Sequence, residues 1–173
     1  MRNLNDRLES LSHITCMCLI LPLAACDPPP MTPNGVVGVI GRQGMGPGEF
    51  GYPRAIASGP DGKIYVVDKT ARIQRFDADG NFETLWSMPE FRAGKPVGLT
   101  VHPDGRVFVA DTHYHRVMVF DSDGNELARF GERGNGDGRF QLPTDVAVDA
   151  EGLIYVSEYH GNDRVTLWRE TSV

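Results

Sequence analysis

The chain has 173 residues, the length of about one domain, and its 40% hydrophobic and 23% charged residues exclude a disordered tail and a multi-span membrane protein. With 17 Lys and Arg against 23 Asp and Glu, the net charge is -6, which argues against nucleic acid as a partner because phosphates bind to a basic face. The 20 glycines and 12 prolines indicate many tight turns rather than long helices.

Residues 1–25 have the pattern of a signal peptide. The apolar run from Ile14 to Ala25 would rise about 18 Å as a helix, well short of the roughly 30 Å hydrocarbon core of a membrane. The run ends in Leu23-Ala24-Ala25-Cys26, which resembles the lipobox of bacterial lipoproteins. This resemblance implies a lipid on Cys26 and a place in the bacterial cell envelope, facing the periplasm or the exterior. An ordinary signal peptide, cleaved at small residues, is the alternative.

Residues 26–35 are rich in proline and predict a stiff tether that holds the following domain away from the bilayer. The three cysteines, Cys16, Cys18 and Cys26, all lie at or before the anchor position. The mature domain is therefore predicted to use neither a disulfide nor a thiol.

Residues 36–173 contain three copies of one sequence repeat, at about residues 53–91, 96–131 and 143–170. Each unit has a strand, an Asp-Gly or Glu-Gly turn, a second strand ending in Asp or Glu, another turn, and a third strand beginning with Arg. The first two units add a further Asp-Gly turn and a fourth strand, which the third unit lacks.

Two glycine-rich linkers, residues 41–53 and 131–143, match position for position as Gly-x-x-Gly-x-Gly-x-Gly-x-Phe-x-x-Pro. A phosphate-binding loop would be followed by a helix, whereas a proline and a strand follow here. We interpret both segments as connections whose phenylalanine plugs between sheets. A lone strand is predicted at 36–41, directly before the glycine-rich linker 41–53. The fourth strand of the second unit, 127–130, stands in the same way before the glycine-rich linker 131–143.

The three units resemble the NHL repeat over roughly residues 36–169. The resemblance implies an all-β fold, a β-propeller of four-stranded antiparallel blades. Closed propellers have at least four blades. Three repeats are therefore expected to be half of a six-bladed ring, completed by a second copy in a homodimer, or a truncated propeller.

The acids and arginines at the second turn recur in every unit, as Asp68/Arg72, Asp111/Arg116 and Glu158/Arg164. Because a catalytic group would be special to one unit, we expect these carboxylates to accept turn N–H groups and to pair with the arginines.

The same turn varies in its other residues, and in the resembled fold it surrounds the mouth of the axial channel together with the glycine-rich linker. We therefore predict a ligand-binding face there, formed by Arg54, His113, Tyr114, His115, Tyr159 and His160. The alternatives are exposed polar turn residues without a ligand, or a metal site that uses the three histidines.

The expected function is a non-catalytic, membrane-anchored binding or scaffold module for a protein, peptide or envelope ligand, without metal or cofactor. The alternatives are a propeller-type metal-dependent hydrolase or lyase, and an inactive fragment. The third unit is similar to a blade of the peptide-amidating lyase, a zinc propeller. The positions of that enzyme's zinc histidines hold Arg54, Val97 and Thr144 here, so no zinc site carries over.

Overall fold

The structure is a computed structural model that describes residues 35–169. The predicted signal peptide, the lipidation site Cys26 and the tether up to residue 34 lie outside the described residues. No helix in the described range is long and apolar enough to cross a membrane. The described chain is built of strands and short turns, and this confirms the all-β fold predicted from the sequence.

The first sheet follows a glycine-rich linker that contains a short parallel pair, β1 (Arg42–Gln43) with β2 (Glu49–Phe50). The sheet has four antiparallel strands in sequence order, namely β3 (Pro53–Ser58), β4 (Ile64–Asp68), β5 (Arg72–Phe76) and β6 (Phe82–Ser87). Isoleucine, tyrosine and valine make up β4 apart from its final Asp68, and such side chains suit a pleated surface that is buried on both faces.

The second sheet repeats this order with β7 (Gly98–Val101), β8 (Val107–Asp111), β9 (Arg116–Phe120) and β10 (Glu126–Phe130). A second parallel pair, β11 (Glu132–Arg133) with β12 (Arg139–Phe140), lies in the next linker. In the described range the third sheet has three strands, β13 (Pro143–Val148), β14 (Leu153–Glu158) and β15 (Arg164–Arg169). Short 3₁₀ turns occur at Pro60–Gly62 and Thr112–Tyr114.

The predicted Asp-Gly turns close the outer hairpins of the first two sheets in the same way. Gly80 has a φ of 85° and Gly124 a φ of 89°, a region that glycine enters at little cost. The carboxylates of Asp77 and Asp121 each accept a backbone N–H four residues on, at 2.8 Å. These aspartates therefore fix the turns.

Two hydrophobic clusters fill the spaces between neighbouring sheets. The cluster between the first and second sheets includes Val67, Ile73, Trp86, Val109, Met118 and Phe120. The cluster between the second and third sheets includes Phe108, Val117, Phe140, Val146, Ile154 and Val156. Successive residues of β8, such as Phe108 and Val109, enter opposite clusters because side chains alternate across a strand.

The linker phenylalanines pack against the sheets, and Phe140 does so between the second and third sheets, as predicted. Phe140 is fully buried, with its ring centroid 4.9 Å from that of Trp168. Phe50 is half-buried, 5.6 Å from the ring of Phe76. The linker between the first and second sheets has no phenylalanine at this position, and buried Met88 fills the first cluster instead.

The outward faces of the first and third sheets carry apolar side chains that no described sheet covers. Ile56 is 69% exposed on the first sheet, and Val165 and Leu167 are 58% and 61% exposed on β15. Residues 36–41, predicted as a lone strand, form no strand within the described range.

Candidate functional site

The turns at one edge of the sheets carry five of the six residues predicted to bind a ligand, all except Arg54. The register pairs Pro53 with Asp68 and Pro143 with Glu158. The first residue of a sheet's first strand therefore lies beside the carboxylate that ends its second strand. We call this edge the linker face. It consists of three linkers, at residues 41–52 (first), 88–97 (second) and 131–142 (third), and of the turns between the second and third strands of each sheet, at residues 69–71, 112–115 and 159–163.

In the first sheet, Asp68 and Arg72 hold the first linker. The buried Asp68 carboxylate accepts the N–H groups of Gly51 at 3.0 Å and Thr70 at 2.9 Å, and Arg72 Nη2 donates to it at 2.7 Å. Arg72 Nη1 donates to the Met45 carbonyl at 2.5 Å. This ion pair therefore fastens the linker backbone to the sheet.

In the third sheet, Glu158 and Arg164 do the same for the third linker. Glu158 accepts the N–H of Gln141 and the Nε–H of Arg164, both at 2.6 Å. The Arg164 guanidinium donates to the carbonyls of Asn135 at 3.1 Å and Arg139 at 3.2 Å. The predicted pairing of acid and arginine is thus confirmed in the first and third sheets, whereas a turn N–H reaches the carboxylate only in the first, from Thr70, and the backbone N–H in the third comes from the linker.

In the second sheet the prediction is wrong in part. Asp111 Oδ2 accepts Arg116 Nε–H at 2.9 Å, but no turn N–H reaches this carboxylate. Asp111 Oδ1, Thr112 Oγ1 and Arg116 Nη2 are buried without a hydrogen-bond partner. Glu90 Oε2 lies 2.6 Å from Arg116 Nη1, and the ring of Tyr114 lies 4.9 Å from the guanidinium. The cause is the second linker, which lacks the glycine-rich pattern.

The pKa values of the three acids follow these contacts. Burial raises the pKa of Asp111 to about 6, although Arg116 opposes this change. Burial also acts on Asp68 and Glu158, but hydrogen bonds from the arginine and from backbone N–H groups outweigh it. The pKa of each therefore lies below its ordinary value.

The two histidines of the second turn do not point to a common site. His113 packs on Gly94 of the second linker, where a Cβ on the glycine would lie 2.0 Å from the imidazole Cγ. His115 instead accepts the Leu142 N–H of the third linker through Nδ1, at 3.2 Å. Burial, with Arg133 and His113 nearby, lowers the pKa of His115, which suits the unprotonated nitrogen that this bond needs.

The remaining predicted site residues are dispersed. Tyr159 is 45% exposed on the third turn, with the His160 ring 6.1 Å away in an edge-on arrangement. Tyr114 accepts the Ala93 N–H at 3.1 Å. Arg54 lies on β3, beside Ile56 in an apolar groove of about 350 Å³ on the outward face of the first sheet. Arg54 therefore borders a different surface from the histidine turns.

Sequence reasoning missed Glu90, Thr112 and the whole second linker, because these residues do not recur in the other units. Their only signal was the missing glycine-rich pattern before the second unit. Within residues 35–169, no group of three His, Cys, Asp or Glu side chains is arranged to hold a metal ion.

Comparison with known proteins places the repeat within a family. Residues 94–120 match the NHL repeat. Over 77 residues the chain is 32% identical to the protein brain tumor of Drosophila melanogaster. This match covers 44% of the chain and 7% of that protein. Over 91 residues it is 34% identical to the peptidylglycine alpha-amidating monooxygenase of Rattus norvegicus, covering 49% of the chain and 9% of that protein.

Solved structures share the fold. The selenomethionine-substituted virginiamycin B lyase from Staphylococcus aureus superposes with a TM-score of 0.51 at 18% identity, over 70% of the chain and 42% of the lyase. The chain thus spans less than half the length of each of these proteins. These matches identify a protein with an NHL repeat and a β-propeller type of fold.

Proposed function

We propose that the chain is a non-catalytic binding module that holds a protein or peptide on its linker face. The observation that carries this proposal is how the repeated polar residues are used. In the first and third sheets, both the carboxylate and the guanidinium are occupied by linker backbone. These groups therefore serve architecture, and the residues that differ between sheets are left to form the surface.

The variable turn side chains suit recognition of a polypeptide. Tyr159 and His160 are exposed together on the third turn, and His113 is exposed on the second. Tyrosine combines a large apolar ring with a hydroxyl group, and it is enriched where proteins bind one another. His115 and Tyr114, which bond to linker backbone, would support the surface rather than contact the partner.

A selection of random displayed peptides on the purified full chain tests this proposal. The selected peptide is titrated calorimetrically against the wild type, Tyr159→Ala and, as a control at the opposite edge, Glu151→Ala. We expect Tyr159→Ala to weaken binding at least about tenfold, which corresponds to about 1.4 kcal/mol, and the control to bind as the wild type does. Selected peptides that bind both variants equally well would overturn the proposed face.

A catalytic alternative remains a hypothesis because one relative is an amidating monooxygenase. Metal analysis of the purified protein distinguishes the two functions. Zinc or calcium at one ion per chain, lost on His113→Ala or His160→Ala, would replace the binding module by a metal-dependent hydrolase or lyase.

We also propose that Cys26 carries a lipid that anchors the module in the bacterial cell envelope, facing the periplasm or the exterior. The sequence Leu23-Ala24-Ala25-Cys26 supports this proposal. Metabolic labelling with a fatty acid analogue should mark the wild-type protein and leave Cys26→Ser unlabelled. Equal labelling of both proteins would contradict a lipid at this cysteine.

A second copy of the chain is proposed as a further partner, in a homodimer that completes a ring. Ile40 supports this proposal because of the place that it occupies. A Cβ on Gly80 would lie 2.7 Å from Ile40 Cγ1, just as a Cβ on Gly124 would lie 2.5 Å from Trp86 Cγ. Ile40 thus stands where the fourth strand of a preceding sheet would stand.

The segment before Ile40 fits the free edge of the third sheet. Val36, Val37 and Val39 are exposed, and valine favours strands. Strand β15 has no outer neighbour in the described range, and its Val165 and Leu167 side chains are exposed. Residues 36–40 of one copy would therefore pair with β15 of the other.

A further inference from the structure

The three unpartnered polar atoms of the second sheet form a cluster with a specific hydrogen-bonding demand. Asp111 Oδ1 can only accept when ionised, Arg116 Nη2 can only donate, and Thr112 Oγ1 can do either. All three atoms are buried, and burying such groups without partners destabilises the fold. The cluster is therefore matched to a ligand that presents an N–H and a carbonyl together.

The other two sheets show which chemical group meets this demand. Gly51 in the first linker and Gln141 in the third each donate a backbone N–H to the carboxylate, at 3.0 and 2.6 Å. Backbone carbonyls of the same linkers accept from the guanidinium groups of Arg72 and Arg164. In both places a glycine-rich backbone that turns back on itself satisfies the acid and the arginine at once.

The second linker does not supply this backbone. Residues 88–97 form no strand, and their one contact with the guanidinium is the Glu90 carboxylate at Nη1. The Glu90 side chain is 52% exposed, so water screens much of its attraction to Arg116. Glu90 is thus the group that a ligand would displace, and the Tyr114 ring would move aside with it.

We propose that the second sheet binds a glycine-rich segment of a partner protein through that segment's backbone. One carbonyl of the segment accepts from Arg116 Nη2, a second replaces Glu90 at Nη1, and a neighbouring N–H donates to Asp111 Oδ1. The inference rests on the proposed function, because it names the chemistry that the linker face would recognise. Glycine is required because the two native linkers reach the same groups through positive φ angles, at Gly48 and Gly138 among others.

A synthetic peptide with the sequence of residues 131–143 is the probe, since this sequence makes the required bonds in the third sheet. The isotope-labelled full chain is titrated with it, and amide chemical shifts are followed by NMR. We expect shifts at residues 111–116 and 88–97. A scrambled peptide of the same composition should cause none.

Three variants and one control test whether the peptide binds through the proposed groups. Glu90→Ala removes the competing carboxylate and should tighten peptide binding at least about fivefold. Arg116→Lys should weaken it at least about tenfold. Thr112→Val keeps the side-chain shape and removes an unpartnered hydroxyl, so it should weaken binding without lowering the thermal midpoint. Glu151→Ala, which removes an exposed carboxylate at the opposite edge, should leave binding unchanged.

Weaker binding by Glu90→Ala, or shifts confined to the first and third linkers, would overturn the inference. So would the absence of binding at millimolar peptide. If selected random peptides still bind the linker face in that case, backbone recognition alone fails. If neither probe binds there, the proposed function fails as well.

Discussion

Phe140 lies against Gly131 so closely that a Cβ added to the glycine would stand 2.3 Å from the phenylalanine Cδ2. The same approach joins Gly41 and Phe50, where the distance to Cε2 would be 2.4 Å. The first glycine of each glycine-rich linker thus makes room for the aromatic ring that closes the linker. Both glycines also have a positive φ, 90° at Gly131 and 74° at Gly41.

We expect Gly131→Ala to lower the free energy of unfolding by at least about 2 kcal/mol, because it adds both a clash and backbone strain. Gly138→Ala adds strain alone, since its φ is 75° but no atom lies within 4 Å, and should cost about 1 kcal/mol. Gly136→Ala adds neither and serves as the control. Urea unfolding followed by tryptophan fluorescence should rank the variants in this order. Equal losses for all three would show that the ring does not pack there.

The two arginines at equivalent turns should differ in their contributions to stability. Arg72 donates to Asp68 and to the carbonyls of Met45 and Glu49, whereas Arg116 has one unpartnered Nη2. Lysine cannot serve several acceptors in a fork, so Arg72→Lys should cost about 2–3 kcal/mol and Arg116→Lys about 1 kcal/mol or less. Thermal unfolding of both variants tests this difference. A larger loss for Arg116→Lys would contradict it.

The raised pKa of the buried Asp111 predicts how the stability of the fold depends on pH. Its folded pKa of about 6 lies above the value of about 3.9 expected in the unfolded chain, so the folded state binds the proton more tightly. The stability that this proton contributes is present below about pH 4 and is lost as the pH rises past 6. The wild type should therefore lose stability relative to Asp111→Asn across this window, by at most about 3 kcal/mol.

Asp68→Asn is the matched control for the sign of this effect. The pKa of Asp68 lies below its ordinary value, so its contribution is present above about pH 4 and is lost at lower pH. As the pH rises, the stability of the wild type should thus increase relative to that of Asp68→Asn. This trend is opposite to the one expected for the wild type and Asp111→Asn. Urea titrations from pH 3 to 7 measure both differences, and trends of the same sign would refute the assignment.

The proposed pairing of two copies predicts the mass of the protein in solution. Sedimentation of the purified full chain should give twice the mass of one chain. Leu167→Lys places a charge on the exposed face of β15 and should shift the protein to the monomer. Leu127→Lys alters another exposed leucine, on β10, and should leave the dimer intact. A monomeric wild type would exclude this assembly.

The repeated parts of the molecule could be predicted from the sequence. Asp-Gly turns, alternating apolar residues and an acid at the end of each second strand recur at fixed spacing, and each copy supports the interpretation of the others. The positions of Asp68, Asp111 and Glu158 followed directly, as did the role of Phe140. The pairing of Asp68 and Glu158 with their arginines could be foreseen because it is local, whereas the linker N–H groups of Gly51 and Gln141 come from 17 residues earlier in the chain.

The parts that occur once could not be predicted. Nothing in the sequence places Glu90 beside Arg116, because that contact depends on the path of an irregular linker. His113 and His115 are two residues apart and were predicted to share a face. His115 has a left-handed φ of 55°, and the two imidazoles contact different linkers. Side-chain direction in such a turn depends on backbone angles that residue spacing does not reveal.

The second sheet is the only one in the described chain that borders both hydrophobic clusters. Opening its strands would expose both clusters at once, whereas the outer strands of the first and third sheets can separate while one cluster stays packed. Amide protons of β8 and β9 should accordingly exchange with deuterium last, at rates set by global unfolding. Those of β15 should exchange early, through local opening at an unpaired edge.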